Sequence, residues 1–173
     1  MRRVLVTGGA GYIGSILVRL LLEEGYQVRV MDNLRFGGET LVELLNDPNF
    51  EFIKGDVNNK EHLLEAVKGI DYIVHLAAIV GDPACRNEPE LAKETNFEST
   101  KNLYSIANQN DAKKFIYAST CSNYGKMEDS EGYVNEESRL APVSLYAETK
   151  VDAEKFLLTQ NRDQNCIATI LRF

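Results

Sequence analysis

Val4-Leu5-Val6-Thr7-Gly8-Gly9-Ala10-Gly11-Tyr12-Ile13-Gly14 opens the chain with an apolar β-like run, a glycine-rich turn and the start of a helical stripe. Glycines at 8, 11 and 14 let the backbone turn tightly and approach a pyrophosphate, and the helix that follows presents unpaired N–H groups and a positive dipole end to the anion. Read as G-x-G-x-x-G from Gly9 or G-x-x-G-x-x-G from Gly8, the pattern alone is weak. Its setting makes it specific: a strand precedes it, a helix follows it, and Asp32 ends the next strand at about the expected 20 residues. A carboxylate there accepts hydrogen bonds from the adenosine ribose hydroxyls and repels a 2′-phosphate, which favours NAD over NADP. Arg35, close behind it, pulls the other way.

Outward from that motif, short apolar runs alternate with helical patterns. Val4–Thr7, Gln27–Met31, Phe50–Lys54, Tyr72–Leu76, Lys114–Ala118 and Ile167–Phe173 read as strands buried on both faces. Ile13, Ile16, Leu17, Leu20 and Leu21 recur at i, i+3, i+4, i+7 and i+8, and Gly25 stops that helix. Leu41, Leu44 and Leu45 mark a shorter helix, Leu63, Leu64 and Val67 another before Gly69, and Pro89 to Asn108 a long one. Such alternation predicts parallel pairing with right-handed crossovers: an α/β, Rossmann-type doubly wound parallel sheet with helices on both faces.

Composition narrows the function classes. The chain has 173 residues, 44% hydrophobic and 26% charged, which suits one globular domain over residues 1–173. A net charge of −7 without a basic stripe argues against a nucleic-acid partner. Three cysteines, Cys85, Cys121 and Cys166, lack the spacing of a metal site or a disulfide framework and suit a reducing cytoplasm. No segment reads as a signal peptide or a membrane span. The final run, Cys166 to Phe173, reads as a buried strand with nothing after it, so a longer enzyme with a separate substrate lobe is expected.

Tyr146 and Lys150 stand at i and i+4, on one face of a helix. Bringing a phenol from a pKa of about 10 to neutrality takes about 4 kcal/mol of preference for the phenolate. One cation at ~4 Å supplies about that much at an effective dielectric near 20, and an oxidised nicotinamide adds more. The pair alone is more often a packed tyrosine beside a surface lysine; next to a dinucleotide fingerprint it reads as a base and its cation.

The chain resembles the extended short-chain dehydrogenase/reductases, in their NAD-dependent sugar epimerase and dehydratase branch (UDP-glucose 4-epimerase-like). The likeness runs end to end, through Thr7 to Gly14, Asp32-Asn33-Leu34, Gly55-Asp56-Val57, His75-Leu76-Ala77-Ala78, Asn96, Ser119-Thr120 before Tyr124-Gly125, Tyr146 with Lys150, and Leu171-Arg172-Phe173. The resemblance implies that Gly8, Gly11, Tyr12, Ile13 and Gly14 cradle the cofactor, with Asp32 and Asn33 at its ribose. It implies that Asp56 and Val57 contact adenine, that Leu76, Ala77, Ala78 and Asn96 line the site, and that Lys150 also holds the nicotinamide ribose. Thr120 would assist Tyr146 at a substrate hydroxyl, and Phe173 would lie near the nicotinamide. A homodimer is implied too, through the helices around Pro89–Asn108 and Tyr146–Gln160, which carry apolar positions on more than one face.

Other residues are read more plainly. His75 is expected to be packed or backbone-bonded, His62 solvated, Asn96 at least as much a structural amide as a catalytic one, and Cys121 a buried filler. The acidic stretch from Glu128 to Glu137 reads as a solvated loop. Sugar 4,6-dehydratases place Asp-Glu directly after the threonine; Cys121 and Ser122 stand there instead and cannot supply a carboxylate pair. The expectation is therefore nucleotide-sugar 4-epimerisation. Keto-reduction, dehydration and a catalytically silent NAD-binding module are the alternatives.

Overall fold

The computed structural model describes residues 2–126, 133–160 and 165–173, so part of the acidic stretch, residues 128–132, lies outside them. Six strands form one sheet: β1 (Arg3–Thr7), β2 (Gln27–Asp32), β3 (Phe50–Lys54), β4 (Tyr72–His75), β5 (Lys114–Ser119) and β6 (Ile167–Arg172). Their order is β3-β2-β1-β4-β5-β6 and every pairing is parallel, which is the expected doubly wound sheet. The chain order reverses between β1 and β4, and such a switch point opens a crevice at the carboxyl ends of the strands.

Helices cover both faces. Helix α1 (Tyr12–Glu23) and a 3-10 segment (Glu39–Asn46) pack on Val4, Val6, Val28 and Val30. On the opposite face α2 (Lys60–Val67), α5 (Ser99–Gln109) and α6 (Leu145–Gln160) close over Leu5, Met31, Ile73 and Phe115. Two short helices, α3 (Asp82–Asn87) and α4 (Pro89–Lys93), lead into α5 through a π-helical turn at Glu94–Glu98. The long helix expected from Pro89 to Asn108 is thus one helical run with a widened turn in it.

Helix α1 corrects the sequence reading. Gly14, Ser15 and Val18 are its buried residues, while Ile13, Ile16 and Leu20 of the apolar stripe are about half exposed. The reason is at Gly14. A Cβ there would stand 2.5 Å from the Gly8 carbonyl oxygen and 2.6 Å from Gly9 Cα, so only a bare α-carbon allows the helix to sit against the turn. That contact sets the rotation of α1 and overrides the hydrophobic period. Leu17, Leu21 and Leu22, on the flank nearest the sheet, are partly buried.

Candidate active site

A cleft of ≈ 640 Å³ runs along the carboxyl ends of the strands, within the size range of small-molecule sites. Its floor at one end is the glycine turn. Gly8 adopts φ +73, and a side chain there would collide with the Ala77 backbone N at 2.7 Å. The first bond of α1 runs from Ser15 N–H to the Gly11 carbonyl at 2.9 Å and no side chain caps the helix, so the first-turn N–H groups are left for an anion.

Asp32 is oriented from both sides. Its Oδ2 accepts from Ala10 N–H at 3.0 Å and its Oδ1 from Leu34 N–H at 2.8 Å, tying the glycine turn to the β2 loop. Leu34 is held at φ 61, an uncommon conformation for a branched residue and one that the Asp32 bond supports. Next in line, Asn33 donates to Asp56 Oδ2 at 3.4 Å, and His62 Nδ1 accepts from Asp56 N–H at 3.1 Å. His62 is therefore half-buried and engaged, not simply solvated.

At the other end stand Thr120, Tyr146, Lys150 and Phe173. Helix α6 places Tyr146 and Lys150 one turn apart on its inner face. Lys150 is 3% exposed, and its ammonium donates to the Ala118 carbonyl at 2.8 Å and lies 4.7 Å from the Tyr117 ring centroid. Burial holds its pKa down to about 8, against the opposing pull of Cys85 and Glu154. It stands 6.0 Å from the Tyr146 ring centroid. The Tyr146 phenol is pushed above its ordinary value, first by burial and then by Cys85, while a hydrogen bond with Thr120 works the other way. This departs from the simple expectation that Lys150 pulls the phenol down. In the free protein the ammonium is committed to a carbonyl and the phenol is protonated.

The expected cofactor residues Gly8, Gly11, Tyr12, Ile13, Gly14, Asp32, Asn33, Asp56, Val57, Leu76, Ala77 and Ala78 line the same cleft. Asn96 does not. It is 1% exposed in the π-helical turn, accepts from Ile79 N–H at 2.8 Å, and donates to the Ile79 carbonyl at 3.0 Å and to Thr149 Oγ1 at 3.2 Å. It shapes the wall from behind. His75 is likewise buried, between Thr7 Oγ1 at 2.6 Å and Thr100 Oγ1 at 3.0 Å. Thr100 donates to the Asn96 carbonyl, so its oxygen accepts from His75 Nε2–H and His75 Nδ1 accepts from Thr7. Cys121 is exposed, against expectation; it opens the 3-10 turn Cys121–Tyr124, and its N–H donates to the Phe173 carbonyl at 2.6 Å.

Sequence reasoning passed over Glu154. It is 1% exposed, a full turn beyond Lys150 on the same helix face, and that spacing of a carboxylate on a buried face was the available signal. Among the described residues no group of His, Cys, Asp and Glu could hold a metal ion, and no helix is long and apolar enough to cross a membrane.

A bare glycine turn, a carboxylate at the end of β2 and a cleft ending at a tyrosine fit a dinucleotide. The comparisons agree. The NAD dependent epimerase/dehydratase family model matches residues 4–173. A 3-beta-hydroxysteroid dehydrogenase of Mycolicibacterium neoaurum is 37% identical over 98% of this chain and 46% of its own length. The UDP-Glc/GlcNAc 4-epimerase from Campylobacter jejuni superposes with a TM-score of 0.92 at 30% identity, over 99% of this chain and 53% of its own. DesIV, a dTDP-glucose 4,6-dehydratase from Streptomyces venezuelae solved with NAD and TYD bound, gives a TM-score of 0.90 at 32% identity, over 98% of this chain and 55% of its own. The chain spans about half the length of these relatives.

Proposed function

The chain belongs to the NAD-dependent epimerase/dehydratase family, and from that membership we propose that it is the cofactor-binding and catalytic part of a nucleotide-sugar 4-epimerase. The observation that carries the reading is the placing of Tyr146 with Thr120 and Lys150 at one end of a cleft whose other end is the glycine turn. Bound NAD supplies the redox chemistry, a hydride acceptor for the carbinol carbon and afterwards the donor that returns it. Tyr146 takes the proton of the sugar hydroxyl and gives it back. Thr120 holds that hydroxyl in line through its own OH, and Lys150 fixes the nicotinamide ribose. Cys121 and Ser122 supply no carboxylate pair, which sets dehydration behind epimerisation.

The test uses the complete enzyme with UDP- and dTDP-hexoses and reads products by mass spectrometry and NMR. Epimerisation conserves mass and inverts one carbinol; loss of water marks a dehydratase and sinks the 4-epimerase reading. A second reading, net oxidation of a secondary alcohol, is favoured by the 37% identity to a hydroxysteroid dehydrogenase. Accumulation of NADH in proportion to product would select it.

A homodimer through α5 and α6 belongs to the same reading. Its support is a narrow apolar strip, with Leu158 53% exposed and Phe97 and Phe156 partly buried, set among charged residues. Sedimentation showing only monomer at micromolar concentration would reject it.

A further inference from the structure

We propose that Glu154 is a positioning residue of this site: its buried carboxylate fastens the ends of β5 and β6 so that Thr120 and Phe173 face the cleft. Glu154 Oε1 accepts from the Ser119 hydroxyl, from Asn123 Nδ2 at 2.7 Å and from Arg172 Nε at 3.1 Å. Its Oε2 accepts from Arg172 Nη2 at 2.7 Å and Nε at 3.1 Å. Asn123 Nδ2 also donates to Ser119 Oγ at 3.0 Å, closing the cluster.

The partners are the residues next to the working ones. Ser119 directly precedes Thr120 and Arg172 directly precedes Phe173, and both successors line the cleft. The Cys121 N–H to Phe173 carbonyl bond joins the same two strand ends from outside. Arg172 carries the constraint further, donating through Nη1 to Tyr124 OH at 2.9 Å and to the Glu136 carbonyl at 3.3 Å. Tyr124 OH in turn donates to the Asn135 carbonyl at 3.0 Å. One carboxylate on the helix that bears Tyr146 and Lys150 thus sets the register of the segments opposite them.

Stability alone gives little reason for the arrangement. Taking a carboxylate and a guanidinium out of water costs about as much as their attraction returns, and an apolar pair often does as well. Position is what the pair adds, since a planar fork on a carboxylate admits few geometries. Charge adds a second effect. The groups facing the Lys150 ammonium are Tyr146 and Glu154 on α6, Cys85 on α3, Tyr117 on β5 and His75 on β4. Of these, Glu154 supplies a carboxylate that favours the protonated amine.

This inference rests on Thr120 acting on the substrate, and its test separates the two. In the complete enzyme Glu154→Gln keeps the shape and removes the charge. Turnover is expected to fall about 10- to 100-fold, the cost of a small misplacement of reacting groups, with KM and NAD affinity nearly unchanged. Losing the negative charge lowers the Lys150 pKa, so the alkaline limb of the pH profile should move to lower pH. Ser119→Ala, which removes the hydroxyl held by Glu154 and Asn123 but leaves the carboxylate charge, should lower turnover and leave that limb in place. If Glu154→Gln does not fold, Glu154→Met with Arg172→Met removes both charges and answers the same question. Wild-type turnover in that folded double variant, or in Ser119→Ala, overturns the proposal. The Lys150 titration, followed by NMR on ε-13C-lysine without any sugar, should shift in Glu154→Gln even if the wild-type enzyme turns over no nucleotide sugar. That pattern would sink the epimerase reading alone, whereas an unmoved Lys150 titration overturns the electrostatic part of this one.

Discussion

Arg35 pairs with Glu88, 53 residues further along the chain, and so joins the β2 loop to the junction of α3 and α4. Arg35 lines the cleft beside Asp32, where an arginine would ordinarily welcome a 2′-phosphate. Its guanidinium is instead answered by a carboxylate and rests 5.8 Å from the Phe36 ring centroid. The charge that argued for NADP in the sequence is neutralised in the fold.

NAD should accordingly bind at least tenfold more tightly than NADP, about 1.4 kcal/mol. Calorimetric titration with both dinucleotides measures it. Glu88→Ala, which frees Arg35, should narrow the gap by strengthening NADP; an unchanged ratio would mean that Arg35 does not reach the ribose and that Asp32 alone sets the preference.

His75 predicts an acid-sensitive fold. Burial lowers its pKa from 6.5 to about 3, so between those values the unfolded chain binds a proton that the folded one refuses. Stability therefore rises with pH across that window and is lost as pH falls from 6.5, by up to about 1.4 kcal/mol per unit. Urea midpoints measured from pH 7 to pH 4 should drop more steeply in the wild type than in His75→Gln. Equal slopes would show that carboxylates alone govern acid unfolding.

Gly14→Ala sets two effects against each other. Alanine in a helix is favoured over glycine by up to about 1 kcal/mol. At Gly14 the new methyl meets backbone at 2.5 Å and 2.6 Å, and backbone cannot swing aside as a side chain can. The clash should win, costing about 1–3 kcal/mol in thermal or urea unfolding and weakening NAD binding as α1 is pushed off the turn. Gly25→Ala is the contrast: nothing lies within 4 Å, and only the strain of φ +80 is added. If Gly14→Ala binds NAD like the wild type, the close approach of α1 to the turn is not what shapes the cradle.

The strands were legible because short apolar or β-branched runs stand between breakers, and each ends within a residue or two of where the pattern places it. Burial on both faces holds for β1, β2 and β4, whereas the edge strands β3 and β6 are largely half-buried or exposed because each has a neighbour on one side alone. The cofactor cleft was legible because its residues sit at strand ends, in short motifs whose spacing is fixed by the fold. What escaped the sequence depends on long-range contact. The rotation of α1 follows from one backbone approach at Gly14, and the withdrawal of Asn96 from the cleft follows from its two bonds to Ile79. The Glu154 cluster joins segments 18 to 35 residues apart, which no local pattern reports.

Tyr146 carries the last prediction. Its phenol is raised by burial in the free protein and the Lys150 amine, at about 8, is bonded to the Ala118 carbonyl, so neither group alone makes a phenolate at neutral pH. An oxidised nicotinamide held at this end of the cleft would supply further positive charge and so favour the Tyr146 phenolate. Tyr146→Phe should then cut turnover about 10²–10⁴-fold, the usual contribution of a positioned acid–base group, while NAD affinity stays within a small factor because the glycine turn is untouched. If Lys150 holds the nicotinamide ribose as proposed, Lys150→Ala should lower turnover and weaken NAD as well. Its pH–rate profile should move upward as the phenol loses a neighbouring cation. Stopped-flow measurement of hydride transfer, alongside calorimetric NAD affinity, distinguishes the two variants. Full turnover in Tyr146→Phe would place the proton transfer on another group, and the exposed Cys121 beside Thr120 would be the first to replace.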